Sequence, residues 1–422
     1  MATITDIKNG NLHGAYPNLY GSSYDEEALD ARFIELVRTH GKEFGQDSVQ
    51  LYSTAGRSEL GGNHTDHNQG KVLAATINLD TIAAVHATDQ SSVILKSEGF
   101  PIVKVDLSDL SMHEKEKNTT DALVRGIAKA FHDRGLKVGG FMANTSTSVL
   151  KGSGLSSSAA IEVLCATIFN HLFNNDKLTP LELAIIGQYA ENEYYGKPSG
   201  LMDQVACAEG GIVAIDFKET KSPKVTALQY DFASHGYALV IVDTKGSHED
   251  LTANYASIPH EMKEVAGMLG GKHLRDITEK SFMEQLPTLR TELKNDRALL
   301  RAFHFFSENE RVTKMVEALG NDDFNYYLSL VNECGRSSFC FLQNLYADYR
   351  QQGLPLALAL SEDLLQGKGA CRVHGGGFAG TIQAYVPVNM LKAYQQRMDT
   401  VFGKGSVTEL AIRPKESCCF AE

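Results

Sequence analysis

A run of small residues between two regular patterns constrains this chain more than any other feature. Residues 152–160 read Gly-Ser-Gly-Leu-Ser-Ser-Ser-Ala-Ala. The residues before this run have a strand-like mix of Thr, Ser and Val, and those after it carry apolar side chains at helical spacing. Glycine lets a backbone approach a bulky anion, and the N–H groups of a first helical turn point at it. We therefore predict a phosphate-binding turn between a strand and a helix.

Two other interpretations of the run are weaker. A flexible Gly/Ser linker is disfavoured, because linkers are not usually held between two apolar elements. A Walker A loop is excluded, because no Gly is followed by four residues and then Gly-Lys-Ser/Thr. The serine hydroxyls of the run are further candidate ligands for phosphate or Mg²⁺.

Length and charge limit the classes of partner. A chain of 422 residues, 43% of them hydrophobic, is long enough for two domains with a cleft between them. The formal net charge of −12 argues against a nucleic-acid or anionic-membrane surface, since both use clustered Lys and Arg. An acidic chain that binds a nucleotide triphosphate must supply local cations, here expected to be Mg²⁺ and an arginine.

The cysteine pattern bears on the compartment. Seven cysteines without a C-x-x-C pair indicate neither a disulfide framework nor a zinc site, and they fit a reducing cytoplasm. The chain shows no charged-then-apolar leader and no run near 18 apolar residues. We expect a cytoplasmic monomer without a membrane or nucleic-acid partner.

The order of patterns indicates an α+β first half and a second half that is largely helical at first. The first half mixes strand-like and helical stretches, and residues 259–347 are predominantly helical in pattern. The polar stretch 218–224, with its Ser-Pro break, is the expected boundary. The predicted domains are residues 1–222 and residues 223–422.

A second polar string, residues 56–70, predicts a binding loop. It reads Gly-Arg-Ser-Glu-Leu-Gly-Gly-Asn-His-Thr-Asp-His-Asn-Gln-Gly. Arg57 offers a fixed cation, while Asn63, His64 and Asp66 offer the mixed donors and acceptors that sugar hydroxyls require. A purely structural turn is the main alternative. A metal site at the two histidines is less favoured, because their spacing is not that of a helical pair.

A third string, residues 191–204, contains three carboxylates, of which Glu191 and Asp203 are the candidates for a functional role. Its Gly-Lys-Pro-Ser-Gly centre is expected to end the helix that carries Glu191 and to present Asp203 after a tight turn. Glu191 would then suit Mg²⁺ and Asp203 would suit a base. On spacing alone, two solvated side chains remain the stronger interpretation.

A fourth string, residues 374–380, contains a glycine cluster that satisfies G-x-G-x-x-G. The dinucleotide fingerprint must open a helix, whereas residues 381–386 alternate like a strand. We therefore predict a tight loop that approaches the phosphate site from the second domain.

Taken together, the strings resemble the GHMP small-molecule kinases, and within them the galactokinases. The resemblance spans nearly the whole chain, and three family motifs stand in order: Gly56-Arg57 leading to residues 64–66, then residues 154–159, then residues 375–378. It implies a two-domain α+β GHMP kinase fold. The N-terminal domain would be of the ribosomal-protein-S5-like type and the C-terminal domain ferredoxin-like, with ATP and sugar meeting between them.

The resemblance also implies roles. Asp203 looks like the base that accepts the proton of the anomeric hydroxyl, and Arg57 like the cation that keeps Asp203 ionised and steadies the transferring phosphoryl group. Sugar contacts are implied for Asn63, His64, Asp66, Gly200 and Tyr255. The residues expected to bind ATP are Gly152, Gly154, Ser156, Ser157 and Ser158, and the implied Mg²⁺ ligands are Ser158 and Glu191.

The chain departs from the family pattern at several positions. Asn63 stands where galactokinases have a Glu that faces the C6 hydroxyl, and Glu59 stands where they have Asn. His374 replaces a usual Thr, and Thr120 occupies the place of an adenine-contacting Trp in many relatives. These changes leave the C6 group of the sugar and the affinity for nucleotide open.

The leading function is an ATP-dependent kinase of the anomeric hydroxyl of galactose. A kinase for a C6-modified sugar such as galacturonate is the first alternative. The second is a non-catalytic, galactokinase-like sugar sensor, which the intact Ser157-Ser158-Ala159 sequence disfavours.

Overall fold

The computed structural model describes residues 1–21, 24–150, 152–197, 199–246 and 251–422. Within these residues, helices pack on two β-sheets. The helices are α1 (Ile4–Lys8), α2 (Tyr16–Tyr20), α3 (Glu26–Phe44), α4 (Thr120–Asp133), α5 (Ser157–Asn174), α6 (Pro180–Tyr189), α7 (Met202–Ala208), α8 (Thr252–Met268), α9 (Glu279–Leu293), α10 (Asp296–Gly320), α11 (Phe324–Ser337), α12 (Gly353–Leu365) and α13 (Val388–Phe402). The strands are β1 (Gln50–Gly61), β2 (Lys71–Thr88), β3 (Ser92–Ser97), β4 (Val103–Asp106), β5 (Gly140–Thr147), β6 (Ile212–Asp216), β7 (Lys224–Leu228), β8 (Tyr237–Asp243), β9 (Ala370–Val373), β10 (Thr381–Pro387), β11 (Val407–Leu410) and β12 (Cys418–Ala421).

The larger sheet has the strand order β12-β1-β2-β5-β3-β4, with β6 and β7 attached to β2. All pairs are antiparallel except β3 with β5. The long strand β2 pairs with β6 through residues 71–75 and with β5 through residues 81–88. The two halves of β2 thus pair with different strands on one side, while β1 pairs with β2 along most of its length on the other side.

The smaller sheet, β11-β8-β10-β9, is antiparallel throughout. Helices α11, α12 and α13 pack against it. The strands β7 and β12, although they follow residue 222, pair with strands of the larger sheet. The division at residues 222 and 223 stays a prediction.

Strand β1 lies where the two halves of the molecule meet. Helices α5 and α7 contact it, as do α10 and α11 from the C-terminal half. From residue 51 to residue 61 every residue of the strand is buried, including Arg57 and Glu59. Because buried charged groups must be paired, we expect both side chains to have charged or hydrogen-bonding partners nearby.

A shared apolar cluster fixes the two halves against each other. It includes Leu73 of β2, Met315 of α10 and Tyr327 of α11, all fully buried. The cluster holds β1 and the C-terminal helices in one arrangement, so a cleft between them has a defined shape.

Two expectations from the sequence, both about loop positions, are confirmed. The phosphate-loop run lies between β5 and α5, as predicted. The glycine cluster ends at Gly380, and β10 follows it directly rather than a helix. None of the helices in the described ranges is long and apolar enough to cross a bilayer.

Candidate active site

The loop before α5 is shaped to present N–H groups. Gly152, Gly154 and Ser156 have positive φ angles of 76°, 74° and 61°, and two of these three are glycines, which adopt this region without strain. The carbonyl of Leu155 accepts a hydrogen bond of 3.1 Å from the backbone N–H of Arg57. The side chain of Ser156, the residue before the helix, makes no capping hydrogen bond to the first turn of α5. Its N–H groups therefore suit phosphate oxygens.

The glycine cluster closes over this loop from the second half. A Cβ atom added at Gly154 would lie 3.3 Å from Nδ1 of His374 and 3.9 Å from Cα of Gly375. The His374 ring also hydrogen-bonds Ser58 at 3.1 Å and Thr381 at 3.0 Å. Burial, aided by nearby Arg57 and Arg372, lowers the pKa of His374 to about 3, so its ring is neutral. The glycine cluster at residues 374–380 thus approaches the loop before α5, as the sequence predicts.

A cavity of about 420 Å³ adjoins the start of α5. Ser157 and Ser158 line one side of it, and Phe100, Leu123 and Tyr195 supply apolar and aromatic surface. Thr120 also lines the cavity. The size and apolar lining suit a purine base, with its phosphates directed at the loop.

Two buried glutamates stand together at the inner wall of this cavity. Glu191 is 3% exposed and Glu162 is 1% exposed. Nε2 of Gln204 donates hydrogen bonds of 2.9 Å to both carboxylates. The second oxygen of Glu162, Oε1, has no partner among the described residues. Burial, with the charge of Glu191 beside it, raises the pKa of Glu162 well above its usual range.

This donor set fits a divalent cation. Ser158 and Glu162 are four residues apart on α5 and so share one helix face, and both line the cavity with Glu191. Hydroxyl and carboxylate oxygens are the ligands that Mg²⁺ prefers. The orphaned Oε1 of Glu162 is an oxygen that a cation would satisfy. Nζ of Lys197 lies 2.7 Å from Oε1 of Glu191, and the Lys197 side chain is 56% exposed.

The helical run that carries Glu191 ends at Gly196, as the sequence predicts, but its last turn has a form that was not predicted. Helix α6 stops at Tyr189, and residues 190–195 form a π-helical turn before Gly196. Such turns are frequent at functional sites, because the wider turn re-aims a side chain. Here the turn contains Glu191, which faces the cavity wall.

Arg57 and Asp203 form an ion pair at the mouth of the loop. The Arg57 guanidinium contacts Oδ1 of Asp203 through Nη2 at 2.8 Å and Nε at 2.9 Å, and it also donates to the carbonyl of Gly154. The hydroxyl of Ser156 donates to Oδ2 of Asp203 at 2.6 Å. Burial alone would raise the pKa of Asp203, but Arg57 and the Ser156 hydroxyl more than offset it and lower the pKa. The carboxylate is therefore ionised at neutral pH.

A smaller cavity of about 220 Å³ opens beside this pair. Its polar lining includes Arg57, Asp203, His64 and Asp66. Gly200 also lines it, and a Cβ atom there would lie 2.4 Å from Oδ2 of Asp66. This close approach is a physical reason for glycine at that position.

His64 has a fixed protonation state in this cleft. Its φ angle is 58°, and Nε2 hydrogen-bonds the carbonyl of Gly376 at 2.9 Å, which places the proton on Nε2. Burial, with His67 nearby, lowers the pKa of His64 to about 4. The ring is thus neutral and rigid, a suitable neighbour for a sugar.

Asn63 and Tyr255, two of the residues predicted to contact sugar, do not line this cavity. Nδ2 of Asn63 donates to Oε1 of Glu59 at 3.0 Å and to the carbonyl of Gly375 at 2.7 Å, while its Oδ1 accepts from Asn344 at 2.8 Å. The amide is fully buried, and protein partners use both of its N–H bonds. The Tyr255 hydroxyl donates to the carbonyl of Gly377 at 2.9 Å. Direct sugar contact by either residue stays a prediction.

Sequence reasoning did not assign roles to several residues that the structure brings to the site. Glu59 lines the smaller cavity and is paired with Arg372 of β9. Burial raises the pKa of Glu59, and the charge of Arg372 partly offsets the increase. Glu162 could have been predicted from the sequence, since it lies one helical turn after Ser158. Arg372 could not have been predicted, because no local sequence pattern relates β9 to β1.

The chain is similar to known proteins over most of its length. The family model described as "GHMP kinases N terminal domain" matches residues 122–211, and the "Galactokinase galactose-binding signature" matches residues 38–87. Galactokinase of Clostridium tetani is 30% identical over 378 residues, which are 88% of this chain and 92% of that protein. Galactokinase of Actinobacillus pleuropneumoniae serotype 5b is 31% identical over 350 residues, 82% and 87% of the two chains. The chain belongs to the galactokinase family.

Solved structures of GHMP kinases share the fold. Galactokinase of Lactococcus lactis, in complex with galactose, aligns with a TM-score of 0.78 at 22% identity, covering 92% of this chain and all of that one. Mevalonate kinase of Methanococcus jannaschii aligns with a TM-score of 0.62 at 15% identity, covering 87% and 99%. The predicted α+β GHMP kinase fold is confirmed. As a galactokinase-family member, the chain is a sugar kinase with ATP as phosphoryl donor.

Proposed function

We propose that this protein transfers the γ-phosphoryl group of ATP to the anomeric hydroxyl of galactose. The position of Asp203 carries the proposal: its carboxylate lines the sugar-sized cleft and is hydrogen-bonded to Ser156 of the phosphate loop. A base in that position reaches a hydroxyl on one side while the phosphates lie on the other. The relatives from Clostridium tetani and Actinobacillus pleuropneumoniae, both named galactokinase, support galactose as the sugar.

In the proposed step, the anomeric O–H bond breaks and its proton goes to Asp203. The anomeric oxygen bonds to the γ-phosphorus, and the bond from that phosphorus to the β,γ-bridging oxygen breaks to leave ADP. Arg57 keeps Asp203 ionised and places a positive charge beside the phosphoryl oxygens. Such a reaction depends mainly on positioning and charge neutralisation, which this pair provides.

The loop and the larger cavity serve the nucleotide in this proposal. Gly152, Gly154 and Ser156 shape the turn, and Ser157 and Ser158 begin the helix that receives the phosphates. Ser158 and Glu191, with Glu162 beside them, would hold Mg²⁺. The ion, when bound, neutralises charge on the β- and γ-phosphate oxygens.

The two cations that line the cleft, Arg57 and Lys197, are paired with Asp203 and Glu191, whereas two further carboxylates, those of Glu59 and Asp66, also line it. These two carboxylates favour a neutral hexose over galacturonate. A uronate carboxylate about 4 Å from either would be repelled by about 4 kcal/mol at an effective dielectric near 20. The intact contact between Arg57 and Asp203 favours catalysis over a purely sensory role.

The test is phosphorylation of a sugar panel by the purified chain. Galactose, glucose, galacturonate and galactosamine are incubated with ATP and Mg²⁺, ADP release is measured, and ³¹P NMR locates the phosphate. We expect galactose to have the highest kcat/KM and the product to carry phosphate on C1. A higher kcat/KM for galacturonate would overturn the assignment of galactose as the substrate. Sugar binding without ADP release would support a non-catalytic sugar sensor. Size-exclusion chromatography tests the expected monomer, and cell fractionation the expected cytoplasmic location.

A further inference from the structure

Glu59 has an unusual position for a buried carboxylate. It is 3% exposed, yet it lines the smaller cavity. Its Oε1 accepts two hydrogen bonds from side chains, one from Nη2 of Arg372 and one from Nδ2 of Asn63. Its Oε2 accepts no hydrogen bond from the described residues and is not fully enclosed. One oxygen is thus held by protein and the other is available to the cleft.

The carboxylate is held rigidly. Arg372 is fully buried, and its guanidinium also contacts the backbone carbonyl of Glu59. Nε2 of Gln383 donates to the same carbonyl at 3.1 Å. Asn63 is itself fixed by Asn344. Contacts from β9, β10 and two loops therefore determine where Oε2 points.

The spacing along β1 relates Glu59 to the reacting end of the cleft. Arg57 and Glu59 are two residues apart in a regular part of the strand, so their side chains share one face. Their Cα atoms are about 7 Å apart at the usual rise of a strand. Arg57 holds Asp203. A hexopyranose whose anomeric hydroxyl meets Asp203 would thus place a distant hydroxyl near Glu59.

We infer that Glu59 is a specificity-determining residue, whose Oε2 accepts a hydrogen bond from one sugar hydroxyl remote from the anomeric carbon. This inference rests on the proposed function. Asn63 then acts as a positioning residue, since its Nδ2 hydrogen-bonds Oε1 of Glu59. The charged acceptor selects for a hydroxyl donor and against a sugar that carries an acceptor or only hydrogen at that carbon.

The experiment combines Glu59→Gln with the 2-, 3-, 4- and 6-deoxygalactoses. In the variant, the amide oxygen can keep the Arg372 contact while the NH₂ group faces the cleft, so an acceptor becomes a donor. We expect kcat/KM for galactose to fall about 10- to 100-fold, mainly through KM, the usual effect of a hydrogen bond to a charged group. For one of the deoxygalactoses, the kcat/KM of the wild type should be lower than for galactose by a similar factor. The kcat/KM of the variant should be the same for that deoxygalactose as for galactose.

Controls separate this role from a structural one. Glu209→Gln changes a half-buried glutamate outside the cleft and should leave all ratios unchanged. Should Glu59→Gln be too unstable to purify, Glu59→Asp keeps the charge beside Arg372 while withdrawing the oxygen from the cleft. It should show the same coupling to the same deoxygalactose in calorimetric sugar binding.

Two different failures can be told apart. If the wild type turns over galactose but the Glu59 variants are as sensitive as the wild type to every deoxygalactose, the assignment of Glu59 is overturned. If the wild type does not phosphorylate galactose, the proposed function itself fails.

Discussion

The hydroxyl of Ser156 donates a 2.6 Å hydrogen bond to Oδ2 of Asp203. Ser156 immediately precedes α5, and Asp203 lies in the first turn of α7 and lines the smaller cavity. A change in the loop before α5 therefore acts on the Asp203 carboxylate directly. Under the proposed function, this contact couples the phosphate-binding loop to the base.

Replacing Asp203 with Asn should abolish most turnover while preserving the fold. The amide keeps the shape and still accepts from Arg57, but it cannot take the proton. We expect kcat to fall by about 10²- to 10⁴-fold, the usual contribution of a positioned base. Stopped assays of ADP release measure the rate, and calorimetry should show galactose affinity close to that of the wild type. Near-normal turnover would remove Asp203 from the mechanism.

Replacing Ser156 with Ala should shift the pH dependence. The folded protein lowers the pKa of Asp203, so kcat/KM should fall as the pH drops through that pKa. Loss of a hydrogen bond to the charged form raises the pKa, and the acidic limb should move about 1 pH unit higher. Profiles of kcat/KM that extend below pH 4 check this. Ser329→Ala, at an exposed hydroxyl on α11, should leave the profile in place.

Glu191→Gln should raise the Mg²⁺ requirement before it removes turnover. A neutral amide is a weaker ligand for a hard cation, so half-maximal activity should need several times more Mg²⁺, while excess Mg²⁺ should restore part of kcat. Titration of activity with Mg²⁺ at fixed ATP measures both effects. Glu193→Gln, an exposed change on the same turn, serves as the control. An identical titration for both variants would count against Glu191 as a ligand.

Asn63→Ala should destabilise the protein. The substitution leaves the carbonyl of Gly375 without its donor and removes one of the two partners of Oε1 in Glu59. Each unsatisfied buried group costs about 1–3 kcal/mol, so the free energy of unfolding should fall by at least that much. Urea unfolding gives the value. Asn18→Ala, at an exposed site, should stay within about 0.5 kcal/mol of the wild type.

Features that depend on residues close together in the sequence could be predicted. The loop between β5 and α5 and the strand from Thr381 to Pro387 follow from local periodicity and glycine placement. The pairing of Arg57 with Asp203 did not follow from pattern, since the two lie 146 positions apart, and it came from family resemblance.

Other features depend on tertiary packing. The π-helical turn at Glu191 was missed because its sequence is compatible with a regular helix. Asn63 was expected to face the sugar, but its side chain points to Glu59 and the glycine cluster. Those partners come from β1 and from a loop more than 300 residues later. No local periodicity specifies such a contact.

The strand β12 has a consequence for how the molecule is made. Its residues pair with Leu51, Tyr52 and Ser53 of β1, the strand that carries Arg57. During synthesis β1 leaves the ribosome well before β12, because more than 360 residues separate the paired segments. Until β12 emerges, one edge of β1 presents unpaired N–H and C=O groups, which is an aggregation hazard. The strand that carries Arg57 therefore depends on a late, long-range pairing to complete its edge, and a chaperone would protect the nascent chain in that interval.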